Sequence, residues 1–141
     1  MAFVLDASVT MRWLTKDGTI ADLAYANFIL DKFLEPNMHV HVPSHWPLEI
    51  TNVMLRSERR GLIDETASEN FLDTLKLAPV MVDLATGVHA FDETLAIARE
   101  HRLTPYDAAY LELALRLSAP LATLDKDLRR AAEQAGHVHW P

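Results

Sequence analysis

"LTPYDAAYLELALRLSAPLATLDKDLRRAAEQAG" (103–136) contains a helix, a strand and a second helix in one run. Thr104 is placed as an N-cap, Pro105 as the favoured first helical residue, and Asp107 as the acid of a capping box. The spacing predicts a helix over 105–118. "PLATL" (120–124) reads as an apolar strand. Asp125 then opens a helix over 126–135, which Gly136 closes. Strands separated by helical stretches imply parallel pairing and a layered α/β domain.

The same alternation runs through the rest of the chain. Residues 2–6 form a strand ending at Asp6. Thr19 caps a helix that carries Leu23, Ala26, Leu30 and Phe33 on one face. "HVHVP" (39–43) is a second strand, and a helix follows from Trp46 to the Gly61 C-cap. Asp64 caps a helix bearing Phe71, Leu72 and Leu75; "PVMVD" (79–83) is a third strand, followed by a helix over 88–101. "HVHW" (137–140) is expected as a short fifth strand. No repeat, linker or low-complexity tract divides the 141 residues, so one domain over 1–141 is expected.

Half of the residues are apolar and 23% are charged, as in ordinary soluble proteins. No apolar run approaches the ~18 residues of a membrane span, and no signal-peptide pattern opens the sequence. A cytoplasmic protein with no membrane association is expected. Cysteine is absent, which excludes disulfides and thiolate metal sites. The net charge of −7 argues against a basic nucleic-acid footprint. Four acids gathered in one cation site would account for more than half of that charge, and a bound cation would offset their field.

Four acids occupy such places: Asp6 after the first strand, Glu49 one turn into a helix, Asp107 in the first turn of another, and Asp125 at a strand-to-helix turn. In open parallel sheets, ligands bind at the carboxyl ends of the strands, where Asp6 and Asp125 both fall. Hard cations such as Mg²⁺ or Mn²⁺ take oxygen ligands, and three or four converging carboxylates suit one or two of them. Without metal such a cluster repels itself and at least one pKa rises. Each acid also has an ordinary use. Asp107 and Asp125 suit capping, Glu49 suits a solvated helix face, and Asp6 would cap any helix continuing through "DASVTMRW".

Three stretches, "FVLDASVTMRWL", "VPSHWPLEITNVM" and the run from Leu103 to Gly136, together resemble the PIN domain, and within it the VapC-type toxins of toxin–antitoxin pairs. The resemblance spans essentially the whole chain. It implies a three-layer α/β/α sandwich around a mainly parallel sheet of about five strands. It also implies a metal-dependent endoribonuclease, using Mg²⁺ or Mn²⁺ to activate a water that hydrolyses RNA phosphodiester bonds. Asp6, Glu49, Asp107 and Asp125 resemble the family's acidic quartet. Ser8, Thr104 and Thr123 resemble its flanking hydroxyl residues. Asn52 is a candidate to orient Glu49, and the role of Asp127 is open. Arg12 and Lys126 are candidates for phosphate contacts. A cognate antitoxin and a homodimer are family expectations, with the apolar-faced helices at 20–34 and 64–77 as candidate surfaces; core packing is their competing use.

The pairs His39/His41 and His137/His139 each share a strand face, but lack a third zinc ligand nearby. Trp13, Trp46 and Trp140 suit base stacking or core packing. An aspartyl phosphatase would need a second acid where Ser8 stands. A receiver-like module would need a Lys ending a late strand, and the only Lys after Asp83 is Lys126, on a helix. A non-toxin nuclease of RNA processing and a binding-only module remain as alternatives.

Overall fold

The computed structural model describes residues 1–136. Strands β1 (Ala2–Leu5), β2 (His39–Pro43), β3 (Val80–Asp83) and β4 (Leu121–Ala122) form one parallel sheet in the order β3-β2-β1-β4. The fifth strand expected at 137–140 lies outside the described residues, so the sheet described has four strands rather than about five. Between β1 and β2 run α1 (Ala7–Thr10), α2 (Arg12–Thr15) and α3 (Ile20–Phe33). Helices α4 (Trp46–Arg59) and α5 (Glu65–Leu75) join β2 to β3. Helices α6 (Thr86–His89), α7 (Glu93–His101) and α8 (Pro105–Leu117) join β3 to β4, and α9 (Lys126–Gln134) follows.

Crossovers between parallel strands are right-handed. The steps from β1 to β2 to β3 run one way across the sheet, so α1–α5 belong on one face. The step from β3 to β4 runs back past β2 and β1, so α6–α8 belong on the other. The packing follows this rule. Helix α1 meets α3 and α4, and α2 meets α3 and α5. Helix α8 lies over β1, β2 and β4, with α7 and α9 against it. The sheet is thus the middle of three layers. Phe3, Val4 and Leu5 of β1 are fully buried in succession, as a strand covered on both faces requires. Ala108, Tyr110, Leu111, Leu113 and Ala114 of α8 cover it. Each large side chain of this set contributes about 1.5–3 kcal/mol by burial.

The helix ends carry their expected caps. Thr19 accepts from the Asp22 N–H at 3.1 Å while Asp22 accepts from the Thr19 N–H at 3.0 Å. Asp64 accepts from the Ala67 N–H at 2.8 Å. Gly61 follows α4 with φ +69°, a left-handed conformation that glycine adopts without strain. The single helix expected over 88–101 is two helices. The chain leaves helical geometry at Asp92 (φ −113°, ψ −101°) and turns Phe91 out to solvent. Apolar periodicity does not register such a break, because His89 and Glu93 still face each other across it at 3.1 Å. Strand β4 is also shorter than the expected 120–124, since Thr123 leaves the ladder to bond inside the site described next.

The strand order makes β1 the turning point. Its neighbours β2 and β4 are reached by connections running in opposite directions, so a crevice opens beyond the carboxyl ends of β1 and β4.

Candidate active site: carboxylates beyond β1 and β4

Asp6 is the first residue past β1. Its N–H donates to the Ala122 carbonyl at 3.0 Å, which fixes it beside the end of β4. It occupies the N-cap position of α1, yet its side chain caps nothing. Oδ2 instead accepts from Ser8 Oγ at 2.5 Å and from Thr123 Oγ1 at 2.7 Å. The two hydroxyls are held in turn by the Leu124 N–H on Ser8 (2.9 Å) and the Asp125 N–H on Thr123 (3.0 Å). Asp6 is only 4% exposed. Burial pushes its pKa up to about 6; the hydroxyl bonds oppose the rise, and the charges of Glu49 and Asp125 add to it.

Asp125 caps α9 by accepting from the Leu128 N–H through Oδ1 at 2.8 Å. Asp107 lies in the first turn of α8, and its N–H donates to the Thr104 hydroxyl at 3.2 Å. Burial, followed by the charges of Asp6 and Asp125, lifts its carboxyl to about 6. Glu49 projects from the first turn of α4, where burial and then the charge of Asp107 raise its pKa against the lowering effect of one hydrogen bond. That bond comes from Tyr110, whose hydroxyl donates to Oε2 at 2.7 Å. Asn52, the residue expected to orient Glu49, is exposed and makes no hydrogen bond to it among the described residues. Sequence reasoning missed Tyr110. The available signal was its position three residues after Asp107, on the same helix face. It also missed His45, whose Nε2 lies 3.1 Å from the Tyr106 carbonyl and 3.4 Å from Glu49 Oε1. The carbonyl can only accept, so Nε2 carries the proton. Burial lowers the pKa of this imidazole, against the raising effect of the Tyr106 carbonyl bond.

The distribution of cations separates this cluster from other acids. Asp83 also ends a strand at the same sheet edge. Arg116 grips it through Nη2–Oδ2 (2.6 Å) and Nη1–Oδ1 (3.3 Å), while Arg116 Nε donates to the buried Glu112 at 2.7 Å. Burial works to raise the Asp83 pKa, but the Arg116 and Thr86 bonds bring it below the usual range. Asp127 pairs with Arg130 at 2.9 Å. Among the described residues, no Lys or Arg pairs with Asp6, Asp107 or Asp125. The donor chemistry, oxygens of mutually repelling carboxylates, fits a hard divalent cation. Among the described residues no three acid or imidazole groups are close enough, as they stand, to enclose an ion. The acids are coupled through charge rather than contact.

Ser8 and Glu49 line a groove of about 600 Å³ together with Arg12, Asn52, Arg56 and Arg60. Arg12 bonds Asp17 at 2.5 Å, and Lys126 is exposed at the start of α9. Two of the tryptophans are structural: Trp46 is buried, and Trp13 donates to the Ala26 carbonyl at 2.8 Å and packs on Phe33. Trp140 and the His137/His139 pair lie outside the described residues.

Residues 3–134 match the PIN domain family, a span that includes all four acids. This chain is a PIN domain. Ribonuclease VapC3 of Pyrobaculum aerophilum is 37% identical over 84 residues, which cover 57% of this chain and 61% of that relative's length. The crystal structure of PAE2754 from Pyrobaculum aerophilum superposes with a TM-score of 0.65 at 25% identity, covering 93% of this chain and 87% of that one. The layered parallel architecture of this PIN domain is therefore the one its sequence predicts. Among its described residues no helix is long and apolar enough to cross a membrane.

Proposed function

We propose that this PIN domain is a divalent-metal-dependent endoribonuclease, the toxin of a toxin–antitoxin pair acting in the cytoplasm. One observation carries the reading. Asp6, Glu49 and Asp107 are raised in pKa, and among the described residues Asp6, Asp107 and Asp125 lack Lys or Arg partners, while the strand-end acid Asp83 is neutralised by arginine. A protein that supplies a cation to one edge carboxylate and leaves its neighbours without one has arranged them for a ligand from outside. The relative named Ribonuclease VapC3 supports RNA as the substrate and an antitoxin as the partner.

Asp6, Glu49, Asp107 and Asp125 would hold one or two Mg²⁺ or Mn²⁺ ions. Bound there, such a cation supplies positive charge at the phosphoryl group and makes water a stronger acid. The protein's part is to fix the ligands. Ser8 and Thr123 occupy Oδ2 of Asp6, leaving Oδ1 for the site; the Leu128 N–H occupies Oδ1 of Asp125, leaving Oδ2. Arg12, Arg56 and Arg60 along the groove provide positive charge for an RNA backbone. The exposed apolar residues Phe28, Leu34 and Leu72 on α3, its C-cap and α5 offer surface to an antitoxin or a second copy.

The test is cleavage of RNA by the purified, antitoxin-free protein in Mg²⁺, Mn²⁺ or EDTA, beside Asp6→Asn. Cleavage should require metal and be lost in the variant. Undiminished cleavage in EDTA or in the variant would overturn the reading.

A further inference from the structure

Resting on the metal-site reading above, we infer that Tyr110 is the positioning residue of Glu49. Glu49 and Tyr110 stand 61 residues apart in sequence, on α4 and α8. The phenol is fully buried, and its hydroxyl donates to Glu49 Oε2 at 2.7 Å. A single bond of this kind fixes which carboxylate oxygen faces the protein and which faces the crevice. Oε1 is left without a bond from Tyr110. His45 lies 3.4 Å from it but directs its own proton to the Tyr106 carbonyl. The His45 ring meets the Tyr110 ring edge-on at 5.4 Å and the Tyr106 ring at 5.7 Å, so the fully buried phenol is packed against an imidazole on the Glu49 side.

The placement of Tyr110 does more than orient one side chain. It follows Asp107 by three residues on α8, one helical turn along the same face. A rigid turn of helix therefore presents one acid of the site and grips another. The separation of Glu49 from Asp107 is set by that turn plus one hydrogen bond, although α4 and α8 belong to opposite layers of the sandwich. Without the bond, two like-charged carboxylates would be free to splay apart and the site would lose its preset spacing.

Tyr110→Phe removes the hydroxyl and keeps the ring. Titration calorimetry with Mn²⁺ alone should show affinity weakened by about tenfold. RNA cleavage should show reduced kcat with unchanged KM, and the thermal midpoint should stay close to that of the parent protein. Glu49→Gln, which keeps an oxygen for the phenol, provides the second arm. In that background Tyr110→Phe should cost nothing further in Mn²⁺ affinity. Unchanged Mn²⁺ affinity in Tyr110→Phe, or full additivity of the two substitutions, would overturn the inference. Asp6→Asn is the control for the underlying reading. If it abolishes Mn²⁺ binding while Tyr110→Phe binds normally, only the positioning role falls; if Asp6→Asn also binds normally, both fall.

Discussion

Asp6 concentrates the conflict between stability and chemistry in one carboxyl group. Its pKa rises from 3.8 to about 6 on folding, which at neutral pH corresponds to about 3 kcal/mol of destabilisation by the ionised form. Asp6→Asn should therefore raise the metal-free thermal midpoint by several degrees while removing the stabilisation that Mn²⁺ gives; scanning calorimetry with and without Mn²⁺ reads both. A lower metal-free midpoint would instead show that the side chain serves the fold. The pH dependence has a definite sign. The folded-state pKa lies above the unfolded one, so the folded state binds the proton more tightly, and stability falls as pH rises through the window from about 4 to about 6. In EDTA the midpoint should drop between about pH 4 and about pH 6, and saturating Mn²⁺ should flatten that slope. The sequence showed that Asp6 ends a strand but left capping open. Only the fold brings Thr123 to it, from 117 positions away. Tyr110 was hidden for a related reason: a tyrosine on an apolar helix face looks like core, and its partner lies on another helix.

At the scale of elements, Asp125 carries two duties that substitution can separate. Asn caps a helix about as well as Asp. Asp125→Asn should leave stability within about 0.5 kcal/mol of the parent and still abolish Mn²⁺ binding, whereas Asp125→Ala should also lose about 1 kcal/mol in urea unfolding. Equal loss of stability in the two variants would show that charge, rather than the cap, holds α9 in place. Thr104, Asp64 and Thr19 were legible in the sequence as N-caps, because capping is a local signal confined to four residues. The break between α6 and α7 was not. His89 and Glu93 keep helical i, i+4 spacing across it, so the residue pattern of 88–101 reads as one continuous helix.

Across the whole molecule, parallel pairing was legible from the alternation of strands and helices, but strand order was not. Alternation fixes how strands are connected, and burial of particular faces then decides which lie side by side. One consequence is that β3 is an edge strand, tied to α8 by Arg116 through Asp83 and Glu112. Arg116→Ala should destabilise the domain by about 2 kcal/mol, below the figure for a wholly buried pair because Arg116 is partly exposed. Urea denaturation measures it. Mn²⁺ affinity should change little, since this clamp lies apart from the acids beyond β1 and β4.

The order β3-β2-β1-β4 also sets a timetable. Chains emerge from the ribosome N-terminus first, and β1, β2 and β3 can begin to associate before β4 exists. A nascent chain at that stage contains Asp6 and Glu49 but lacks Asp107, Thr123 and Asp125. By the reading proposed here, it is harmless to the messenger from which it is being translated. Competence would arrive only once β4 has closed against β1.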